Sequence, residues 1–583
     1  LHVMRGVFGT HVAHLLRRLR RVCEMYGASP TFVFLSATIG EPGRLASDLC
    51  GLPVTEILDD GSPRGERAIA LLNPPLLDED DGIRTSANSE TAAVTARLVE
   101  AGHRTIAFCR SRKGTELVAA DVRRRLPAAD QDLVRPYRAG YLASERREIE
   151  AELFGGRLRG VVATSALELG VDVGGLDACV LNGFPGTIAS FWQQVGRAGR
   201  DQQPSLAVLV AGDDQLDQWL LAHPHEVFRR APEPAVVNLA NPFILHPHLA
   251  CAAFERPLSH ADERYWPDLL DDGVRQLVQN DLLEVRAGPR GGAPRAVWCG
   301  PGVPAPKIGL RTGGVGEVRI VLDDGTLVGT VDENRAHTMV HPGAVYLHQG
   351  RSYLVADLDL AERVATVEPS HDDHFTQARS ETSIRVLRED QHRMVGPVRL
   401  SLGDVEVRTQ VTGYQRKEAR SRRIVANETL DLPPTRLVTR AFWYSIPDDV
   451  LDDARIPIDA IPGTLHAMEH AAIGLLPLFT ICDRWDVGGV SIAWHDDVDA
   501  AAVFIHDGYP GGAGIAELGF AAADRHLAAT LDVLETCSCR AGCPSCVQSP
   551  KCGNGNEPLD KHGAAALLRT ILRGAADPTI HID

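Results

Sequence analysis

The 583-residue chain sets 60 lysines and arginines against 77 aspartates and glutamates, a formal net charge of −17, so a protein coated in basic surface is excluded and any contact with a polyanion must come from local clusters. Its length exceeds the roughly 250–300 residues that one hydrophobic core supports, so several domains are expected, and 44% hydrophobic with 23% charged residues makes them globular. No apolar run of about 18 residues free of charge occurs and no signal-peptide grammar opens the chain, so the expectation is a cytoplasmic protein with no membrane partner.

The chain opens on Leu1 rather than Met, and a preceding N-terminal portion is expected. A helix from about 9 to 26 leads to TFVFLSATI (31–39), an apolar β-prone run ending in small hydroxyl residues, and residues 1–80 are read as the end of an α/β unit. The acidic, polar stretch DEDDGIRTSANSE has little to bury and marks a linker. From 85 to 235, helices (ETAAVTARLVEAG, GTELVAADVRRRL) alternate with short apolar strands (RTIAFC, GVVATS, ACVLNGF, LAVLVAG). Such alternation predicts an α/β domain with a parallel sheet covered on both faces and ligands at the strand C-terminal ends.

Between 236 and 305, Val274, Leu277, Val278 and Leu282 recur at helical spacing before a strand-like exit, which predicts a winged-helix-like unit. Residues 306–385 change to short strands with an Asp324-Gly325 hairpin signal, predicting a small β-rich domain, a barrel or sandwich. Residues 386–583 read as mixed α/β and close on a cysteine cluster.

Basic residues gather at Arg17, Arg18, Arg20 and Arg21, at Arg123 to Arg125, and at Arg416, Lys417, Arg420, Arg422 and Arg423 near Tyr414. Taken alone, each group reads more readily as a solvated helix face than as a nucleic-acid contact. More specific is Gln193-Gln194-Val195-Gly196-Arg197-Ala198-Gly199-Arg200, where two arginines beside glycines can fork onto phosphate oxygens. Upstream stand IAFCRSRK (106–113), ATSALELGVDV (163–173) and Ser36-Ala37-Thr38. In order and spacing, IAFCRSRK, ATSALELGVDV and the Gln193–Arg200 segment resemble motifs IV, V and VI of superfamily 2 helicases of the DEAD/DEAH type, Ser36-Ala37-Thr38 resembles motif III, and Leu1-His2 resembles the tail of the acidic box.

The resemblance implies a RecA-like second motor lobe behind a remnant of the first, with roles residue by residue. Arg197 and Arg200 are implied as arginine fingers on ATP, worth about 10³–10⁵ in rate in phosphoryl transfer. Gly170, Asp172 and Gln194 fall on the nucleotide side. Thr164, Arg110, and Arg138, Gly140 and Arg146 of YRAGYLASERR fall on the DNA side, and Ser36, Ala37 and Thr38 couple the two. No G-x-x-x-x-G-K-[ST] loop occurs in the sequence, and none of its Asp-Glu pairs stands in a motif that would hold Mg²⁺ beside one, so ATP hydrolysis is expected of a longer parent and not of this chain alone.

Of twelve cysteines, five crowd between 537 and 552. The Cys543–Cys546 spacing is that of a zinc knuckle, and four of Cys537, Cys539, Cys543, Cys546 and Cys552 are expected to bind Zn²⁺. The first choice is Cys539, Cys543, Cys546 and Cys552, with Cys537 the rival of Cys539 or Cys552; disulfides or an iron–sulfur cluster are the alternatives. A further motif, His466-x-x-Glu469-His470, has the H-x-x-E-H form of inverted zinc peptidases, although structural histidines in an apolar helix explain it better.

RGVFGTH (5–11), HPGAVYLHQG (341–350), HDGYPGGAG (506–514) and GCPSCVQSPKCGNGNEPLD (542–560) together resemble the MrfA-like DNA-repair helicases. That resemblance implies ATP with Mg²⁺ and structural Zn²⁺ as cofactors, 3′-to-5′ movement on DNA, single-stranded or with a 3′ overhang, and a repair nuclease as partner. The alternative is a catalytically silent DNA-binding module.

Overall fold

The computed structural model describes every residue except 37–38, 60, 62–64, 79–82, 139–140, 142, 169–174, 200–202, 289–291, 311–315, 349–350, 371–373, 419–422, 483–485 and 574–583. At its centre six strands form an all-parallel sheet in the order Arg67–Leu72, Ser205–Val210, Ala178–Asn182, Thr105–Cys109, Gly160–Ala163, Val134–Tyr137. Side chains alternate across a strand, and here both faces are apolar. Ala107, Cys109, Val162, Val180 and Val208 pack under the helices Ala87–Glu100 and Arg112–Arg125. Ile106, Phe108, Val161, Cys179, Leu181 and Leu209 face the other way. The sheet also recruits Arg67–Leu72, which pairs with Ser205–Val210, so its first strand comes from the segment assigned by sequence to the preceding unit.

That second face does not end at its own helices. Its core runs without interruption into Leu465, Met468, Leu475, Leu527 and Leu567 of the C-terminal region. The motor-like sheet and the last domain therefore share one core.

The opening helix Gly6–Met25 packs on the helix Pro242–Glu255. The latter belongs to a small helical unit whose helix Leu270–Gln279 is followed by the hairpin Leu283–Arg286 and Arg295–Trp298, a winged-helix arrangement. The early arginines serve this docking and are not a solvated face. Arg21 is fully buried, donating to Asp262 (2.7 Å) and to the carbonyls of Ala252, Arg256 and Pro257. Arg18 pairs with Glu255. Arg17 and Arg20 satisfy carbonyls at the end of the helix Pro42–Cys50. By contrast, Arg123 to Arg125 form exposed pairs with Asp132 and Asp121, and Arg420 and Arg422 lie outside the described residues.

TFVFLSATI does not form a strand among its described residues. Residues 31–36 join no ladder, Val33 and Leu35 are 78% and 81% exposed, and the ties are Leu1 N–H to the Leu35 carbonyl (2.9 Å) and His2 Nδ1 to Ser36 Oγ (3.0 Å). An apolar β-prone run becomes a strand only beside a partner edge, and among the described residues none pairs with residues 31–36.

The β-rich region is an open five-stranded sheet, not a barrel or sandwich, in the order Leu327–Asp332, Glu317–Leu322, Val364–Ser370, Arg351–Asp359, Val345–His348. Gly325, at φ +82°, makes the expected tight turn. A long antiparallel hairpin, His374–Val395 with Val398–Glu418, then leads through Thr435–Ile446 and Ala500–Asp507 to Val487–His495. The division expected at residue 385 falls inside the first of these strands.

Two outcomes follow from the docked helix. Arg21→Ala takes from buried Asp262 its buried cationic partner, leaving Arg256 and Ser259, and should lower stability by about 2–3 kcal/mol, read as a shift of the denaturant midpoint. His14 and His248 meet across the same contact, and burial pushes them from 6.5 down to about 3 and about 2. The unfolded chain takes up these protons below 6.5 while the folded chain does not. Stability contributed here is thus full above 6.5 and lost on acidification, so the thermal midpoint should fall between pH 7.5 and 5, and less so in His14→Gln; an equal fall in both would contradict the assignment.

Candidate functional site

Strands buried on both faces place their polar neighbours at the ends, and the C-terminal rim of the parallel sheet opens into a cleft of about 570 Å³. Arg110, Ser165, Glu168, Gln194 and, from the start of the chain, His2 and Arg5 line it. The helix Ile188–Val195 is fixed at its N-terminus by Thr187, which accepts from Ser190 N–H (3.0 Å), and by the Glu233 carboxylate, which accepts from Ile188 N–H (2.8 Å). A negative group there suits the helix dipole. At its other end comes Gly196-Arg197-Ala198-Gly199, where Gly199 holds φ +79°.

Arg197 turns inward and donates to the backbone carbonyl of Glu168. Burial pushes its guanidinium pKa down, opposed by the nearby Glu168 charge. Gln194 donates to the Glu168 carboxylate (2.8 Å). Burial raises the Glu168 pKa, while Gln194, Ser190, Arg5 and Arg197 all act to lower it. Sequence reading singled out Arg197 and Gln194 but missed Glu168 and Arg5, although both lie within motifs it quoted. Arg200, Gly170 and Asp172 lie outside the described residues.

Of the residues expected on the DNA side, Arg110 is tied to Asp214 (2.6 Å) and to Asp217. Burial opposes its charge, but the two carboxylates outweigh burial and hold its pKa well above the ordinary value. Burial and the neighbouring Asp214 charge push Asp217 up, against Arg110 and the N–H groups of Gly212 and Phe184, which hold it charged. Thr164 caps the turn Ser165–Leu167 through Ala166 N–H (3.4 Å) and donates its own N–H to Tyr137 (3.2 Å). Arg138 bonds Glu116 (2.7 Å) and lies 4.7 Å over the Tyr141 ring. Arg146, on the helix Ala143–Phe154, sits beside the Tyr137 hydroxyl. Thr164, Arg138 and Arg146 therefore gather where two neighbouring strands end. Gly140, Ala37 and Thr38 lie outside the described residues, and Ser36 is exposed beside His2.

The cysteine cluster resolves to Cys537, Cys539, Cys543 and Cys546. Their sulfurs stand 3.5 Å (Cys537–Cys543), 3.5 Å (Cys539–Cys546), 3.6 Å (Cys537–Cys539) and 3.8 Å (Cys543–Cys546) apart. A tetrahedron with Zn–S near 2.3 Å has edges of about 3.8 Å, whereas a disulfide needs about 2.05 Å, so the residues fit a structural zinc. The first choice is thereby corrected: Cys537 replaces Cys552, because the chain after Cys546 turns away. The ammonium of buried Lys561 donates to Cys539 Sγ (3.4 Å) and to the carbonyls of Cys537 and Cys539, which offsets the surplus negative charge of four thiolates around a divalent ion. Ser545 Oγ donates to the Asp213 carbonyl, and Gln215 Nε2 to that of Gln548, both at 3.0 Å. The knuckle thus rests on the loop that follows the strand Ser205–Val210.

His466 and His470 share one face of the helix Ile461–Leu475. The third group with them is Cys552, not a carboxylate, and Glu469 bonds Ser491; the peptidase arrangement is not assembled.

A parallel-sheet lobe with these motifs, a winged helix and a four-cysteine knuckle on one core define a helicase motor lobe with its accessory domains. The sequence matches the helicase conserved C-terminal domain over residues 90–202, the winged helix domain of the ATP-dependent helicase HRQ1 over 237–307, and the MrfA Zn-binding domain over 468–547. It is 35% identical to the ATP-dependent helicase YprA of Bacillus subtilis, covering 94% of this chain and 72% of that protein. It is 31% identical to the ATP-dependent helicase HRQ1 of Saccharomyces cerevisiae, covering 100% of this chain and 56% of that one. Crystal structures of the DUF1998 helicase MrfA bound to DNA, and to DNA with AMPPNP, superpose with TM-scores of 0.68 and 0.67 at 34% and 33% identity, over 98% and 97% of this chain and 75% and 74% of theirs. The chain belongs to the MrfA family of ATP-dependent helicases.

Replacing Cys543 by Ser should lower bound zinc by one equivalent per chain and open the other three knuckle thiols to a thiol reagent, as metal analysis and thiol titration will read.

Proposed function

We propose that this chain forms the second motor lobe and the DNA-handling C-terminal domains of an ATP-dependent DNA helicase, and that it is silent in ATP hydrolysis by itself. The observation that carries the reading is Arg197, which follows the helix Ile188–Val195 and bonds the Glu168 carbonyl, next to the cleft that Glu168, Gln194 and Arg5 line. A backbone carbonyl is a weak partner for a guanidinium beside a triphosphate, which offers charge-assisted, bidentate bonds. When a nucleotide held on a first lobe closes onto this cleft, Arg197 leaves Glu168 and neutralises charge developing on the γ-phosphate, with Arg200 three residues on in sequence. Gly170, Asp172 and Gln194 complete the nucleotide side.

Thr164, Arg138 and Arg146 line the adjacent strand ends, where one DNA strand passes; Gly140 belongs to the same turn of sequence. Arg110 keeps that rim rigid through its two aspartates, and its contact with DNA requires giving up one of them. Ser36, Ala37 and Thr38 link the two sides, consistent with the bond from Ser36 to His2. The solved MrfA complexes with DNA and AMPPNP support ATP with Mg²⁺ and DNA as the ligands. Movement 3′ to 5′, a substrate single-stranded or with a 3′ overhang, service in DNA repair beside a nuclease, and a cytoplasmic location are the finer parts of the same reading. Among the described residues no helix is long and apolar enough to cross a membrane.

In a protein that carries this chain behind a lobe with a phosphate loop, Arg197→Ala should cut DNA-stimulated ATP hydrolysis by about 10³-fold or more while DNA affinity changes little. Turnover within tenfold of the parent would sink the finger assignment.

A further inference from the structure

Beyond the knuckle, a second group of metal-binding side chains comes together. His466 and His470, four residues apart on the helix Ile461–Leu475, meet Cys552 from the loop that leaves the knuckle, with one ligand atom from each within 4.8 Å of the others. Neither His466 nor Cys552 falls in the span matched to the MrfA Zn-binding domain, which ends at Val547. We propose that His466 Nε2, His470 Nε2 and Cys552 Sγ bind a second Zn²⁺, whose fourth position opens on the neighbouring cavity and holds water.

Three independent features prepare these atoms for a cation. First, each imidazole places Nδ1 2.8 Å from a backbone carbonyl, His466 at Pro558 and His470 at Val547. A carbonyl can only accept, so Nδ1 carries the proton in both rings and Nε2 presents a lone pair, the outer-shell arrangement that orients metal-bound histidines. Second, both lone pairs turn toward one thiol, and a single S–H proton satisfies only one of them. A cation that displaces this proton serves all three groups at once. Third, Cys552 Sγ stands 3.5 Å from His466 Nε2. Bonds of about 2.3 Å to sulfur and 2.0–2.1 Å to nitrogen at the tetrahedral angle require about 3.6 Å.

The loop is built to hold the sulfur there. Ser549 N–H donates to Asn556 Oδ1 (2.8 Å), Asn556 Nδ2 returns to the Ser549 carbonyl (3.1 Å), and Asn556 N–H donates to Cys552 Sγ (3.2 Å). These bonds close the loop before any metal arrives. On the far side lies a cavity of about 950 Å³, lined by His466, Glu469, His506, Lys551 and Cys552, and among the described residues no fourth ligand joins the group. The two sites are linked through the chain: Val547, whose carbonyl orients His470, directly follows the knuckle ligand Cys546. The second metal then clamps the Ser549–Pro558 loop to the helix, next to Gln548, whose carbonyl meets the motor lobe.

The test is metal stoichiometry on the intact chain, saturated with zinc and freed of excess by gel filtration. Two zinc ions per chain are expected, and X-ray absorption at the zinc edge should show a mean shell of sulfur and imidazole nitrogen in a ratio of five to two. Cys552→Ser should bind one zinc, with an all-sulfur shell. One zinc per wild-type chain with an all-sulfur shell, or two zinc ions retained in Cys552→Ser, overturns the proposal. If Cys552→Ser does not fold, the wild-type count and shell decide alone. The readout involves neither ATP nor DNA, so it stands or falls apart from the helicase reading.

Discussion

A parallel sheet must be covered on both faces, because its strands are apolar on both sides. That requirement organises this chain. One face is covered by its own helices, Ala87–Glu100 and Arg112–Arg125. The other face extends its core into the helix Ile461–Leu475 and the closing helix Lys561–Arg573. The C-terminal domain is therefore part of the wall of the motor lobe. The zinc knuckle sits on the loop after the strand Ser205–Val210 because its neighbours in sequence are already buried there.

The rim of the same sheet gathers the polar chemistry. Arg197, Glu168, Gln194 and Arg5 form one network, and Thr164, Arg138 and Arg146 lie at the ends of the two strands farthest along the sheet. In the knuckle, by contrast, residues 537–552 bring little besides the cysteines and Val547 to the core, and a zinc ion held by the four sulfurs would supply most of the cohesion.

The parallel sheet was legible because its strands are short, uniformly apolar and separated by helical patterns, and the ordered motifs placed Thr164 at a strand end and Arg197 after a helix. The winged helix was legible from Val274, Leu277, Val278 and Leu282. Other features depend on partners distant in sequence. A basic run such as Arg17 to Arg21 reads as a solvated face until Asp262, Glu255 and the carbonyls of another unit are found against it. TFVFL reads as a strand, but among the described residues no edge pairs with it. Cysteine spacing gives separation along the chain but not direction, so Cys552 looked interchangeable with Cys537; the turn after Cys546 sends it to the histidines instead. The H-x-x-E-H match placed two imidazoles on one face correctly, and only the fold supplied their third neighbour.

The measurement that bears most directly on this account is DNA-stimulated ATP hydrolysis by the chain alone and by a protein in which it follows a lobe bearing the phosphate loop and the acidic pair. The account predicts turnover in the joined protein and none in the chain by itself. Turnover by the isolated chain, or silence in both with DNA binding intact, would contradict it.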